Sequence, residues 1–75
     1  MGREGSYMAG RVARVSEVIA GSSKSFDDAI NLAFDRANKT LRNITGMKIV
    51  DMTVNCEDGK IQEYRVRVEV IFILE

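Results

Sequence analysis

The sequence predicts an α+β domain of order β-α-β-β, a three-stranded antiparallel sheet packed on one helix. Three observations carry this. Residues 11–20 are a β-branched run, residues 26–44 place apolar side chains at three- and four-residue steps, and two alternating apolar runs, 47–56 and 61–74, flank an Asp-Gly turn signal. A single helix covers a single face of such a sheet. The other face must meet solvent or another subunit.

The first strand, residues 11–20, lies between Gly10 and Gly21-Ser22-Ser23. Ser25 and Asp28 then form a Ser-x-x-Asp arrangement like a capping box, with Asp27 and Asp28 favouring a helix N-terminus, so a helix should begin at Phe26. Phe26, Ala29, Ile30, Ala33, Ala37, Leu41 and Ile44 form its apolar stripe, and Gly46 lies just beyond its expected end. That spacing predicts about five turns.

The two remaining strands meet at Glu57-Asp58-Gly59-Lys60. A two-residue Asp58-Gly59 loop would set Met52 opposite Arg65 and put apolar positions of one strand on the charged face of the other. A three-residue loop with Gly59 in the left-handed conformation removes that conflict. Val50, Met52 and Val54 then face Val66, Tyr64 and Gln62, on the side that carries Val68, Val70 and Phe72. The second face holds Ile49, Asp51, Thr53, Glu63, Arg65, Arg67, Glu69, Ile71 and Ile73, with Asp51 opposite Arg65 and Ile49 opposite Arg67. Its mixture of both charges with isoleucines predicts a subunit contact at Asp51, Glu63, Arg65, Arg67 and Glu69, the alternative being a solvated sheet face.

Composition bounds the function. The chain has 75 residues, 45% hydrophobic and 29% charged, with no proline and no histidine, enough for one core. Residues 1–9 read as a flexible leader and 10–75 as a single domain. Ordering such a chain costs on the order of 100 kcal/mol of conformational entropy, and a domain this short buries only about 60% of its unfolded surface. One cysteine, Cys56, cannot form an internal disulfide, and without histidine the mixed zinc-ligand sets are missing. Self-association is the expected staple. Eleven basic and eleven acidic residues cancel, which gives no field to draw nucleic acid or an anionic membrane. There is no apolar run of about 18 residues and no secretory signal at the start, so a cytoplasmic location is expected. Residues 1–6 fit the loose M-G-x-x-x-S acylation pattern, but a glycine-rich leader explains them equally simply.

The chain resembles the dodecin family of very small flavin-binding proteins. The likeness is carried by Val18-Ile19-Ala20-Gly21-Ser22-Ser23, by Ser25-Phe26, by Ala37-Asn38-Lys39-Thr40-Leu41-Arg42-Asn43-Ile44 and by Glu63-Tyr64-Arg65-Val66-Arg67-Val68-Glu69-Val70, and it covers nearly everything after the leader. It implies a hollow spherical homododecamer whose subunits join through polar and ionic contacts. It also implies paired flavins, FMN or riboflavin, each stacked on a tryptophan just after the helix and bonded by a glutamine after the tyrosine of the last strand. Here those two positions are Gly46 and Arg65. Stacking contributes roughly 1–3 kcal/mol per ring, by analogy with bases on aromatic platforms. Flavin binding is therefore expected to be weak or lost, unless Met47 or Tyr64 supplies a platform. Arg65 is instead suited to a small-molecule anion such as phosphate, or to pairing with Asp51.

Other chemistry is thinly supported. Without histidine, Cys56 has no Cys-His partner, and it reads as a half-buried structural thiol. Glu57-Asp58 could attract a hard cation such as calcium, although two adjacent carboxylates fall short of its oxygen shell and a turn explains them. Gly21-Ser22-Ser23-Lys24-Ser25 lacks the phosphate-loop frame and reads as a connection. Phe26 and Phe34 read as core or contact residues. Glutamates interleave with Arg11, Arg14, Arg65 and Arg67, which argues against an RNA groove. No nucleophile-base pair or metal triad can be assembled, so no enzyme is expected. The functions left are a small-molecule binding and storage assembly, or a structural or ion-binding one.

Overall fold

The structure, a computed structural model, describes residues 10–74; the leader, with its acylation pattern, lies outside the described residues. Strand β1 spans Ala13–Ser22, helix α1 Phe26–Thr40, strand β2 Ile44–Glu57 and strand β3 Lys60–Ile73. The sheet is antiparallel in the order β1-β3-β2, so the last strand in sequence is the central one.

Helix α1 begins where the sequence places it. Ser25 is the N-cap, and its Oγ accepts the Asp28 backbone N–H at 2.9 Å. Ser22 braces the same turn: its buried hydroxyl donates to Asp28 Oδ2 at 2.6 Å and accepts the Lys24 N–H at 2.9 Å. Ala29, Ala33 and Ala37 face Val66, Val68 and Val70, and these six small side chains are the whole buried apolar core among the described residues.

The helix is a turn shorter than the apolar spacing predicts. It stops at Thr40, with Leu41 an extended C-cap whose N–H donates to the Ala37 carbonyl at 2.9 Å. Asn43 (φ 61°), not Gly46, takes the left-handed position that turns the chain, and β2 begins at Ile44. Leu41 and Ile44 still pack on the core, one from the cap and one from a strand, which is why they fit the helical period. Strand β1 is also displaced, starting at Ala13 and continuing through Gly21 and Ser22 because the ladder with β3 runs to Ser22↔Tyr64.

The hairpin has the two-residue loop that parity argued against. Glu57 pairs with Lys60, and Asp58 (φ 54°) and Gly59 (φ 75°) both take left-handed angles, the requirement of a type I′ turn. The conflict is removed by a bulge instead: between Cys56↔Ile61 and Asn55↔Glu63 the register shifts and Gln62 is left without a partner. Asp51 therefore lies opposite Arg67 rather than Arg65, Met52 opposite Val66 and Val54 opposite Tyr64. A second shift, between Ile49 and Asp51, flips the parity again. It sets Ile49 opposite Val68 on the helix side, not opposite Arg67 on the open face. Each bulge adds one residue that a strict two-residue period cannot register.

Candidate functional site

The open face of the sheet carries the residues the sequence singles out, and β3 organises them. Side chains alternate along a strand, so the odd-numbered β3 residues Glu63, Arg65, Arg67, Glu69, Ile71 and Ile73 face away from the buried Val66, Val68 and Val70. Across the middle of this face Arg67 bonds Asp51 of β2 through Nη2 and lies 3.8 Å from Glu17 of β1 through Nε, tying all three strands together. The hydrogen bond to Asp51, followed by the charges of Asp51 and Glu17, raises the Arg67 pKa further above its ordinary value. Its guanidinium stays charged wherever the protein is folded.

Arg65 pairs with Glu63 rather than Asp51. Its Nη2 donates to Glu63 Oε1 at 2.7 Å, and the same oxygen accepts the Asn55 amide at 3.1 Å. Glu63 reaches this position by lying over Gly21, which faces Arg65 across the β1–β3 ladder. A Cβ at Gly21 would come within 2.7 Å of Glu63 Cδ. The missing side chain of one strand thus orients a charged group of the next. The sequence displays that glycine, but nothing in its neighbours points to Glu63, 42 residues away (63 − 21).

Gly46 lies opposite Ile71 on the same open face, and Val15, 54% exposed, pairs with Ile71 from the other side of β3. Nothing lies within 4 Å of where its Cβ would be, so the position is open for a large side chain and offers no ring of its own. Gly46 and Arg65 share a face but do not meet. The Gly46 row crosses β3 at Ile71, six residues from Arg65, or about 20 Å at the strand rise.

Met47 and Tyr64 point to the other side. Met47, opposite Val70, packs against the core, and Tyr64 meets Phe26 edge-on with ring centroids 5.2 Å apart. Tyr64 lies on the face opposite Arg65, whereas Met47 lines an apolar groove between α1 and β2 together with Gly46 and far from Arg65. Phe26 is a core-edge residue, whereas Phe34 is 37% exposed beside an apolar groove between α1 and β2. Cys56 is exposed rather than half-buried, because β2 outruns the helix. Glu57 lies in the ladder and Asp58 in the turn, and among the described residues no group of three or more acidic or thiol side chains is gathered that could hold a metal ion. Among the same residues no helix is long and apolar enough to cross a membrane.

These features define a very small α+β subunit with one helix, one covered sheet face and one bare, ion-paired face. The Dodecin family model matches residues 12–75, and the chain belongs to the dodecin family. A dodecin of Thermus thermophilus is 32% identical over 66 residues, covering 88% of this chain and 96% of that one. The solved dodecin of Streptomyces coelicolor superposes with a TM-score of 0.85 at 31% identity, covering 91% of this chain and 97% of its own. A calcium dodecin of Mycobacterium tuberculosis, described as calcium chelating with a novel calcium-binding site, superposes with a TM-score of 0.74 at 28% identity, covering 85% and 91%.

Proposed function

We propose that the chain is a non-catalytic binding and storage subunit of the cytoplasm. Copies assemble into a hollow closed homo-oligomer, a dodecamer, that holds a small molecule on the open sheet face. The observation that carries this reading is the separation of Gly46 from Arg65: both face the same way, yet about 20 Å divides them, so a ligand touching both must bridge two copies. The ionic residues Asp51, Glu63, Arg65, Arg67 and Glu69 are the polar contacts of the assembly. A buried contact at Arg67 would make Arg67→Glu place like charges together and weaken it.

Flavin is held weakly or not at all. Gly46 offers no π surface, and Arg65 supplies donors only, with Nη2 already directed at Glu63, so neither the ring face nor the acceptor-and-donor ring edge finds its match. Purified protein should therefore lack the yellow absorbance of bound flavin. In titrations, Gly46→Trp should quench flavin fluorescence at concentrations about 5- to 150-fold below those the native chain needs, because stacking supplies roughly 1–3 kcal/mol. Tight stoichiometric quenching by the native chain would overturn this.

A second reading, an ion-binding assembly without an organic ligand, is favoured by the likeness to the calcium dodecin. Calorimetric titration with calcium separates the two. Saturable heat at a fixed stoichiometry, with no flavin quenching, supports the ion-binding reading.

A further inference from the structure

The charges of the chain cancel in sum, but the fold sorts them by place. The ladders bring together the start of β1, the start of β2 and the end of β3: Arg14 and Ile44 both lie opposite Phe72, and Asn43, just past α1, accepts the Ile73 N–H at 3.1 Å. One end of the molecule is thus built from residues 10–14, 36–47 and 70–74. These segments hold Arg11, Arg14, Arg36, Lys39 and Arg42 and no acidic residue. The opposite end, residues 21–28 and 55–65, holds five acidic residues against three basic ones. All five cations of the basic end are exposed, and none has an ion pair among the described residues; Glu75, next after Leu74, lies outside them.

We propose that this basic end docks on an anionic lipid surface, the headgroups of a phospholipid bilayer. Three observations select that partner. First, the cations spread over a strand, a helix and a loop, and the two cavities at this end take one each, Arg11 in that of about 450 Å³ and Arg42 in that of about 210 Å³. No pocket gathers two cations around one small anion, so the match is an extended surface. Second, Val12 and Leu74 stand among the cations. The Leu74 N–H donates to the Val12 carbonyl at 2.8 Å, and the two residues are 64% and 41% exposed, which gives apolar side chains to enter the headgroup layer. Third, these segments hold one aromatic residue, Phe72, and it is half-buried, so the bases of a nucleic acid find no open stacking platform there.

The inference goes beyond the binding and storage reading and uses neither Gly46 nor Arg65. Co-sedimentation of the full chain with vesicles tests it. At about 0.1 M salt, partition onto phosphatidylcholine vesicles containing about one-third phosphatidylserine should exceed that onto pure phosphatidylcholine at least tenfold, and it should fall as salt rises. Each cation near such a surface contributes about fivefold, so Arg14→Gln with Arg36→Gln should lower the partition about 25-fold. Far-UV circular dichroism checks the fold, and Lys39→Gln with Arg42→Gln asks the same question should the first variant fail to fold. Lys24→Gln with Lys60→Gln, at the opposite end, should leave the partition unchanged. Equal partition onto the two vesicles, or a folded double variant of the basic end that binds as the native chain does, would overturn the proposal. Retention on a single-stranded RNA oligonucleotide without vesicle binding would overturn it as well and assign the basic end to nucleic acid.

Discussion

Gly21→Ala should be nearly neutral in the native chain and stabilising once Glu63 is removed. Gly21 has no left-handed φ to protect, so alanine fits its backbone, and replacing a strand-interior glycine by alanine gains roughly 0.5–1 kcal/mol. Against this, the new methyl displaces the Glu63 carboxylate, 2.7 Å from Cδ and 3.2 Å from Cγ. The far end of a flexible side chain can swing away, at the loss of the 2.7 Å bond from Arg65 and the 3.1 Å bond from Asn55. These side chains are 45% (Arg65) and 37% (Glu63) exposed, which limits their pairing to about 0.2–1 kcal/mol. Gain and loss therefore nearly cancel. In a Glu63→Ala background only the gain remains, so the four-variant cycle should show a coupling equal to the lost Glu63 pairing, about 0.2–1 kcal/mol. Urea denaturation at matched protomer concentration measures it, since self-association would make stability concentration-dependent. A strictly additive cycle, or a loss above about 2 kcal/mol in both backgrounds, would show that the backbone moves and the side chain does not.

Two local substitutions test the frame of the site by the same denaturation assay. Ser25→Ala removes the acceptor of the Asp28 N–H and should cost about 1 kcal/mol, with reduced helical circular dichroism. Gly59→Ala forces a Cβ onto a residue at φ 75° in the hairpin turn and should cost about 1 kcal/mol; a neutral result would mean that the turn changes type without penalty.

What the sequence made legible follows from what is periodic or local. The Ser25 cap, the alanine stripe of α1 and the buried Val66, Val68 and Val70 are each signalled within a few residues, and the structure has all of them. Strand pairing was harder because bulges are not periodic. Between Asp51 and Asn55 only the shift at Gln62 has acted, which matches the parity of a three-residue loop, so those residues kept their predicted face; beyond Val50 the second shift moved Ile49 to the other side, and Asp51 gained a different arginine. The end of α1 was obscured because Ile44 serves the same core from a strand. For the candidate site, alternation along the last strand put Arg65 on the open face but assigned Gly46 no face, and the roughly 20 Å between them and the seat of Glu63 on Gly21 exist only once β1 and β2 flank β3.

The sheet order also governs how a nascent chain must proceed. β3 is the last of the four elements to be synthesised, and both β1 and β2 hydrogen-bond to it and not to each other. Until β3 emerges, β1 has no ladder to join and α1 has no valines to receive its alanines. The hairpin can then close first, since its turn needs only Asp58 and Gly59, whereas even the nearest pair of the β1–β3 ladder, Ser22 with Tyr64, closes a span of 42 residues (64 − 22). Folding is thus confined to the moments after β3 leaves the ribosome. Premature termination within β3 removes the common partner of every other element, leaving a fragment with unpaired strands for the quality-control machinery and not a partly folded subunit.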